Sequence, residues 1–300
     1  MKLIENYLSG FTSPYSIFDR TTALSHYKSR DPFANKGNYG HALILAGSYG
    51  KMGAAVLAAK ACLSAGAGLL TAHLPSCGYD IMQSSLPEAM VSVGRGEFEL
   101  AGFPSDPDIF QAVGIGPGIG TSKETSLMLK KFLKSFHQPM VIDADALNII
   151  SRSNDLLSML NPDTILTPHP KEFDRLFGKS DGDLSRFEKA KRMAIQHKII
   201  IALKGHFTGI FLSDGNIFFN TSGNAGMAKG GSGDVLTGII TALLAQSYSS
   251  SVAASLGVYL HGYAGDMAAG LYSEESMLPS DLIQCLGKTF LEWKRYSTSN

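Results

Sequence analysis

Glycines, one serine and one carboxylate crowd the segment GNAGMAKGGSGD at residues 223–234, and the apolar run that follows, 235–244, reads as a buried helix. A glycine-rich loop thus feeds a helix start. Backbone N–H groups from such a loop can converge on one point, where the helix dipole adds partial positive charge, and this combination holds phosphate. Gly230, Gly231, Ser232 and Gly233 are the expected anion hole, with Asp234 at its mouth. Glycine lets the backbone approach a ligand closely, and the carboxylate stands where a hydroxyl attacking phosphorus must lose its proton. The chemistry is phosphoryl transfer. A tight turn with Asp234 as a simple helix-start residue would use the same residue types, so the rest of the chain has to decide between the two.

Two better-known phosphate loops do not fit. No G-x-x-x-x-G-K-[ST] occurs, which excludes the usual P-loop. GSYGKMG at residues 47–53 lies between a strand-like run, 42–46, and a helix-like one, as a dinucleotide fingerprint would, but its glycine spacing is wrong. That fingerprint also wants an acidic residue at the end of the next strand, and the run 69–74 ends in Pro75 and Ser76. GIGPGIG at residues 114–120 carries Pro117 where a binding helix should begin, and reads as an open loop after the strand 112–115.

With 300 residues, 44% of them hydrophobic, the chain can build a substantial α/β core. Charged residues reach only 17%, against a usual ~25%, which predicts that part of the surface is hidden against copies of the same chain. Net charge is +0 and no basic run is interleaved with aromatics, so nucleic acid is not an expected partner. No apolar stretch approaches the ~20 residues of a membrane span, and residues 1–18 lack a signal-peptide core. Cys62, Cys77 and Cys285 are an odd count without metal spacing and read as reduced thiols of a cytoplasmic protein.

Short β-rich runs alternate with helical ones, which implies a parallel sheet covered on both faces. The expected strands are 41–46, 69–74, 112–115, 140–143, 164–167 and 199–204, with helices at 53–65, 122–136 and 184–196. The runs 209–213 and 217–220 read as a hairpin closed at Asp214-Gly215-Asn216, followed after the glycine loop by helices near 235–246, 252–269 and 280–295. One domain is the simplest organisation. Ligands in such sheets bind outside the carboxyl ends of the strands, which directs attention to GPG at 116–118, DADALN at 143–148, TPHPKEF at 167–173 and KGHFT at 204–208. Each loop alone has a plain structural reading as a turn, a cap or a solvated strand end. Five on one edge, counting the glycine loop, argue for a site.

The segments KGNYGHALILAGSYGKMGAA, GIGPGIG, VIDADALN, LTPHPKEF, LKGHFT and GNAGMAKGGSGD, in this order, resemble the nicotinamide nucleotide hydrate dehydratases, a carbohydrate kinase-related family. The resemblance extends from about residue 36 to residue 293 and implies a ribokinase-like, three-layer α/β/α sandwich with a mostly parallel central sheet over residues 36–300. It implies metabolite repair: nucleotide-dependent dehydration of the S-epimer of hydrated NADH or NADPH, with ADP, or alternatively ATP, as the phosphoryl donor. By the same resemblance Lys204, Gly205, His206, Phe207, Thr208 and Gly233 hold the adenine nucleotide. Ala54, Gly118, His169 and Asp234 contact the hydrated dinucleotide, and Glu172 acts on Mg²⁺ through water. A homotetramer and a functional pairing with an NAD(P)H-hydrate epimerase are also implied.

Residues 1–35, with Pro14, Asp31 and Pro32 among polar residues, resemble the connector that joins an epimerase domain to this one in two-domain relatives. The expectation is therefore a single-function enzyme with an extended start or the second half of a larger protein. Two rivals share part of this pattern. A ribokinase-fold kinase acting on a small alcohol, such as a vitamin precursor, would carry the GSGD loop but not TPHPKEF. A nucleotide sensor without turnover would have no need of a base at Asp234.

Overall fold

The computed structural model describes residues 2–297. Among these residues ten strands form one sheet: β1 (Ser16–Phe18), β2 (His41–Leu45), β3 (Leu69–Leu74), β4 (Met90–Val93), β5 (Ala112–Ile115), β6 (Met140–Ile142), β7 (Ile165–Leu166), β8 (Ile200–Leu203), β9 (Gly209–Phe211) and β10 (Ile217–Asn220). Their order is β1-β10-β9-β8-β7-β6-β5-β2-β3-β4. Every pair is parallel except the two made by β9. The six expected parallel strands are present, four of them shorter by one or two residues, and β9 and β10 form the expected hairpin.

Alternate residues of each strand enter different cores. On β2, Ala42 and Ile44 point to one face and Leu43 and Leu45 to the other; Ile200 and Ala202 against Ile201 and Leu203 repeat this on β8. Helices Met52–Ser64, Ser232–Ala245, Ser250–Tyr272 and Pro279–Ser297 cover the first face, with Lys123–Ser135, Ala144–Ile150, Pro170–Phe177 and Asp183–His197 on the second. The result is an α/β/α sandwich. Small residues on the first face bring one helix very close to the sheet: a Cβ added to Gly114 would stand 2.3 Å from Thr241 Oγ1 of helix Ser232–Ala245. Gly238 of the same helix lies so near helix Met52–Ser64 that an added Cβ would meet the Ala58 carbonyl oxygen at 2.1 Å. Close packing on both sides thus fixes where helix Ser232–Ala245 begins.

β1 and β4, which the sequence pattern does not reveal, are the two edges of the sheet. Edge strands pair on one side only, so short ones without a long apolar run suffice. β1 lies within the segment expected as a connector, where it pairs with β10 from Ser16↔Phe218 to Phe18↔Asn220, and Phe18 is buried in the core. Residues of the N-terminal segment therefore complete the sheet.

Candidate active site

From β2 the chain fills the sheet in one direction through β3 and β4, then returns to the other side of β2 and continues through β5, β6, β7 and β8. The adjacent pair β2 and β5 is the switch point, and loops leaving their carboxyl ends diverge to open a crevice there. Those loops are 46–51 and 116–122, and the ends of β6, β7, β8 and β10 deliver Asp143, His169, Lys204 and the glycine loop to the same edge.

Helix Ser232–Ala245 starts at this edge without a side-chain cap, and its N-cap, Gly231, takes the left-handed conformation at φ 99°. The first turn of a helix leaves its N–H groups unpaired. The N–H of Ser232 leans on the Lys229 carbonyl at 3.3 Å, whereas among the described residues the N–H groups of Gly230 and Gly231 reach no backbone acceptor. Around Gly230 there is open space. Lys229 itself is not free for phosphate, because its Nζ donates to the carbonyls of Glu275 at 2.5 Å and Met277 at 2.6 Å and so ties down the loop.

Asp234 sits on the third residue of this helix, partly buried, with no hydrogen-bond partner among the described residues. Burial chiefly, then the carboxylate of Asp143, pushes its pKa up to about 6, and Lys204 opposes them. A carboxylate held in this way is a stronger base than ordinary aspartate while remaining ionised at neutral pH. Asp143 is 1% exposed and pairs with Lys204 Nζ at 2.8 Å; its other oxygen accepts from Thr237 Oγ1 at 3.1 Å. A Cβ on Gly233 would stand 3.3 Å from Lys204 Nζ and 3.5 Å from Asp143 Oδ2. The ion pair, the Gly233 backbone and Asp234 thus converge at one spot.

Two features of the same sheet edge stand near that spot. One is a cavity of about 640 Å³, whose lining includes Lys204, Gly205, His206, Thr208 and Gly233 of the expected nucleotide positions. Phe207 is not in the wall; its ring packs against Tyr7 of the N-terminal helix, 5.4 Å between centroids. The other is a wall in which Gly118 packs directly on helix Met52–Ser64, where an added Cβ would be 3.2 Å from Ala54 Cβ and 3.1 Å from Lys51 Cβ. Asp145 Oδ2 accepts from the Gly120 N–H at 3.0 Å and lies 3.3 Å from Lys51 Nζ, tying the 116–122 loop to this wall. Ala54 and Gly118 therefore meet, and His169, expected with them, instead lines the large cavity beside Lys204.

His169 caps helix Pro170–Phe177. Its Nδ1 accepts from the N–H groups of Lys171 and Glu172, while Glu172 reaches back to accept from the His169 N–H at 2.9 Å. Burial, assisted by Lys204 and Arg175, lowers the His169 pKa against the pull of Glu172 and Asp143, so the ring is neutral at pH 7. Its proton is on Nε2, 3.3 Å from Glu172 Oε1. Glu172 is 6% exposed, and two of the four acceptor positions of its carboxylate remain for water. Those open positions suit a cation held through water; among the described residues no group of three or more His, Cys, Asp or Glu could hold a metal directly.

His261 was not foreseen as part of the site. It lines the large cavity from helix Ser250–Tyr272 and donates from Nε2 to the Ser232 carbonyl at 2.9 Å, steadying the helix start. Burial holds its pKa down to about 4. Asp143 and Thr237 were likewise unassigned, because nothing in sequence links them to Lys204.

A family profile described as "Carb_kinase: NAD(P)H-hydrate dehydratase" matches residues 42–288. The chain is 39% identical over 274 residues to a bifunctional NAD(P)H-hydrate repair enzyme of Moorella thermoacetica, covering 87% of this chain and 51% of that protein. It is 33% identical to the ADP-dependent (S)-NAD(P)H-hydrate dehydratase of Bacillus subtilis, over 89% of this chain and 94% of that one. The chain spans about half the length of the first-ranked curated relatives it matches. A crystal structure of the Bacillus subtilis ADP/ATP-dependent dehydratase, co-crystallised with ATP/Mg²⁺, superposes with a TM-score of 0.81 at 28% identity, over 94% of this chain and 100% of that one. A hydroxyethylthiazole kinase from Pyrococcus horikoshii, 16% identical with a TM-score of 0.60, shares the fold alone. Matched over most of its length in sequence and in shape, the chain belongs to the NAD(P)H-hydrate dehydratase family, with the ribokinase-like fold.

Proposed function

We propose that this chain dehydrates the S-epimer of hydrated NADH or NADPH, using ADP or ATP to turn the ring hydroxyl into a phosphate ester. The observation that carries this reading is Asp234, a carboxylate without a side-chain hydrogen-bond partner among the described residues at an uncapped helix start, with its pKa raised to about 6 and a nucleotide-sized cavity beside it. Asp234 takes the hydroxyl proton as the oxygen bonds to phosphorus and the donor's own P–O bond breaks. The N–H groups of Gly230, Gly231 and Gly233 receive the charge on the transferring phosphoryl group, and Lys204 supports it from the cavity side. The ring nitrogen then expels phosphate by breaking the carbon–oxygen bond. A proton leaves the adjacent carbon, and the ring double bond returns. With ADP the other product is AMP.

Lys204, Gly205, His206 and Thr208 hold the nucleotide; Ala54 and Gly118 hold the dinucleotide; His169 lines the nucleotide cavity and orders helix Pro170–Phe177. Mg²⁺, when bound, would neutralise phosphate charge, and Glu172 would hold it through water. One hydroxyl orientation alone points between Asp234 and the donor, because the mirror arrangement turns the oxygen away from both. The working form is proposed as a cytoplasmic homotetramer, and the name of the bifunctional repair relatives supports its acting alongside an epimerase. The test is to incubate the protein with an equal mixture of the two hydrated NADH epimers and either ADP or ATP. About half the mixture should be consumed rapidly, with free phosphate released and reduced-nicotinamide absorbance regained in equal amounts. A stable phosphorylated product would instead make the protein a kinase.

A further inference from the structure

Tyr49 and Phe98 stand at the rim of the dinucleotide side with 72% and 51% of their surface exposed. Their rings meet edge to face, 5.2 Å between centroids at 84°. Aromatic side chains of this size bury ~150–250 Å² each when covered, so two held together in solvent are a substantial unused contact. They are not on loose chain. The Tyr49 N–H donates to the Phe98 carbonyl at 2.7 Å, and the loop that carries Phe98 is fastened by Arg95 N–H to the Ala101 carbonyl at 2.8 Å and by Cys77 N–H to the Glu97 carbonyl at 3.0 Å. Ser48, next to Tyr49, is buried and donates from Oγ to the Gly118 carbonyl at 2.7 Å. The pair is thereby rigidly continuous with Gly118 and Ala54. Between the two lies Lys51, whose side chain is 56% exposed and only loosely paired with Asp145 at 3.3 Å; so open an ion pair holds an ammonium weakly.

The geometry points to a platform for the adenosine half of the dinucleotide, with Tyr49 and Phe98 receiving the adenine base and Lys51 the pyrophosphate. This rests on the dehydratase reading, for it takes the Gly118–Ala54 wall as the place of the nicotinamide half. The donor's adenine is not a competitor for it, since none of Tyr49, Phe98 and Lys51 lines the 640 Å³ cavity. A base has a flat apolar face that stacks on aromatic rings, and a pyrophosphate needs a nearby cation. A preformed platform also lowers the ordering cost of binding.

The experiment measures binding of NADH and of reduced nicotinamide mononucleotide, which lacks the adenosine half, to the full chain, to the double variant Tyr49→Ala/Phe98→Ala and to Tyr49→Phe. The wild type should bind NADH about tenfold more tightly than the mononucleotide. The double variant should lose that difference with an unchanged melting temperature and an unchanged KM for ADP, and Tyr49→Phe should keep it. Undiminished NADH affinity in the folded double variant overturns the platform, as does equal affinity of the wild type for both probes or no binding of either. If the double variant keeps its NADH affinity but forms a smaller assembly, the pair is a contact between copies and the platform is wrong. The two readings fail separately. Normal phosphate release with no NADH preference sinks the platform alone, whereas a ring-dependent NADH preference without turnover sinks the dehydratase reading and leaves the platform standing.

Discussion

At the scale of single residues the account depends on Asp234, whose carboxylate works only when ionised. Because its pKa is raised to about 6, kcat/KM should climb about tenfold per pH unit below 6 and level off above it, and Asp234→Asn should abolish that limb. The same substitution should lower kcat at least about a hundredfold while changing dinucleotide affinity far less. It carries a stability consequence of definite sign. Between pH 4 and 6 the native carboxyl holds a proton that the unfolded chain has released, so native stability falls as pH rises through this window and stays lower above it. Asp234→Asn should therefore raise the melting temperature at pH 8 and leave it almost unchanged at pH 4, which thermal unfolding at the two pH values checks. Glu172 calls for a different readout. Glutamine preserves the reciprocal cap with His169 but removes the charge, so Glu172→Gln should raise the magnesium concentration needed for half-maximal rate without lowering the melting temperature. An unchanged magnesium titration would remove Glu172 from that role.

At the scale of elements, the glycine loop makes a contrast that neighbouring residues can test. Gly231 has φ 99° and an added Cβ would strike Leu57 Cδ1 at 2.6 Å, whereas Gly230 faces open space. Gly231→Ala should cost at least about 1 kcal/mol of stability, while Gly230→Ala should unfold like the wild type in denaturant titrations. The loop's purpose was legible in sequence because glycine, carboxylate and apolar helix are contiguous there. The inner strands were legible for a related reason: buried on both faces, they read as continuous apolar runs such as HALIL and LLTAHL. β1 and β4 were not, being short edge strands. The ion pair between Asp143 and Lys204 was also hidden, since 61 residues separate the partners and each alone resembles an ordinary strand end. Gly118 lay in a loop that the strand-end rule singled out, but Ala54 was reachable only through family resemblance; their contact depends on how helix Met52–Ser64 meets the loop after β5. Tyr49 and Phe98 gave no signal, because an aromatic residue in a loop carries no periodicity to show which way it faces.

At the scale of the whole molecule, low charge and an apolar helix over 252–265 led to the expectation of self-association. Most of that helix is buried within the chain's own core: Ala253, Ala254, Leu256, Val258, Tyr259 and Leu260 all pack there. Its burial therefore needs no second copy. Large apolar residues that stay exposed on or beside the last two helices, Leu271, Tyr272, Leu278 and Leu291, are better placed to meet one. Light scattering at micromolar concentration should give four times the chain mass, and a monomeric mass would remove the assembly from the account. No helix among the described residues is long and apolar enough to cross a membrane.

The central claim is that the hydroxyl leaves as phosphate after Asp234 has prepared it for transfer, and the fate of its oxygen tests this most directly. NADH hydrated with ¹⁸O at the ring hydroxyl should be incubated with the protein and unlabelled ADP in ordinary water, and the released phosphate analysed by mass spectrometry. Attack of the hydroxyl on phosphorus followed by breakage of the carbon–oxygen bond carries the substrate oxygen into the product. The account predicts one ¹⁸O in each inorganic phosphate released. Unlabelled phosphate, with the ¹⁸O recovered in water, would show that the hydroxyl departs without being phosphorylated and would contradict the role assigned to Asp234 and the glycine loop.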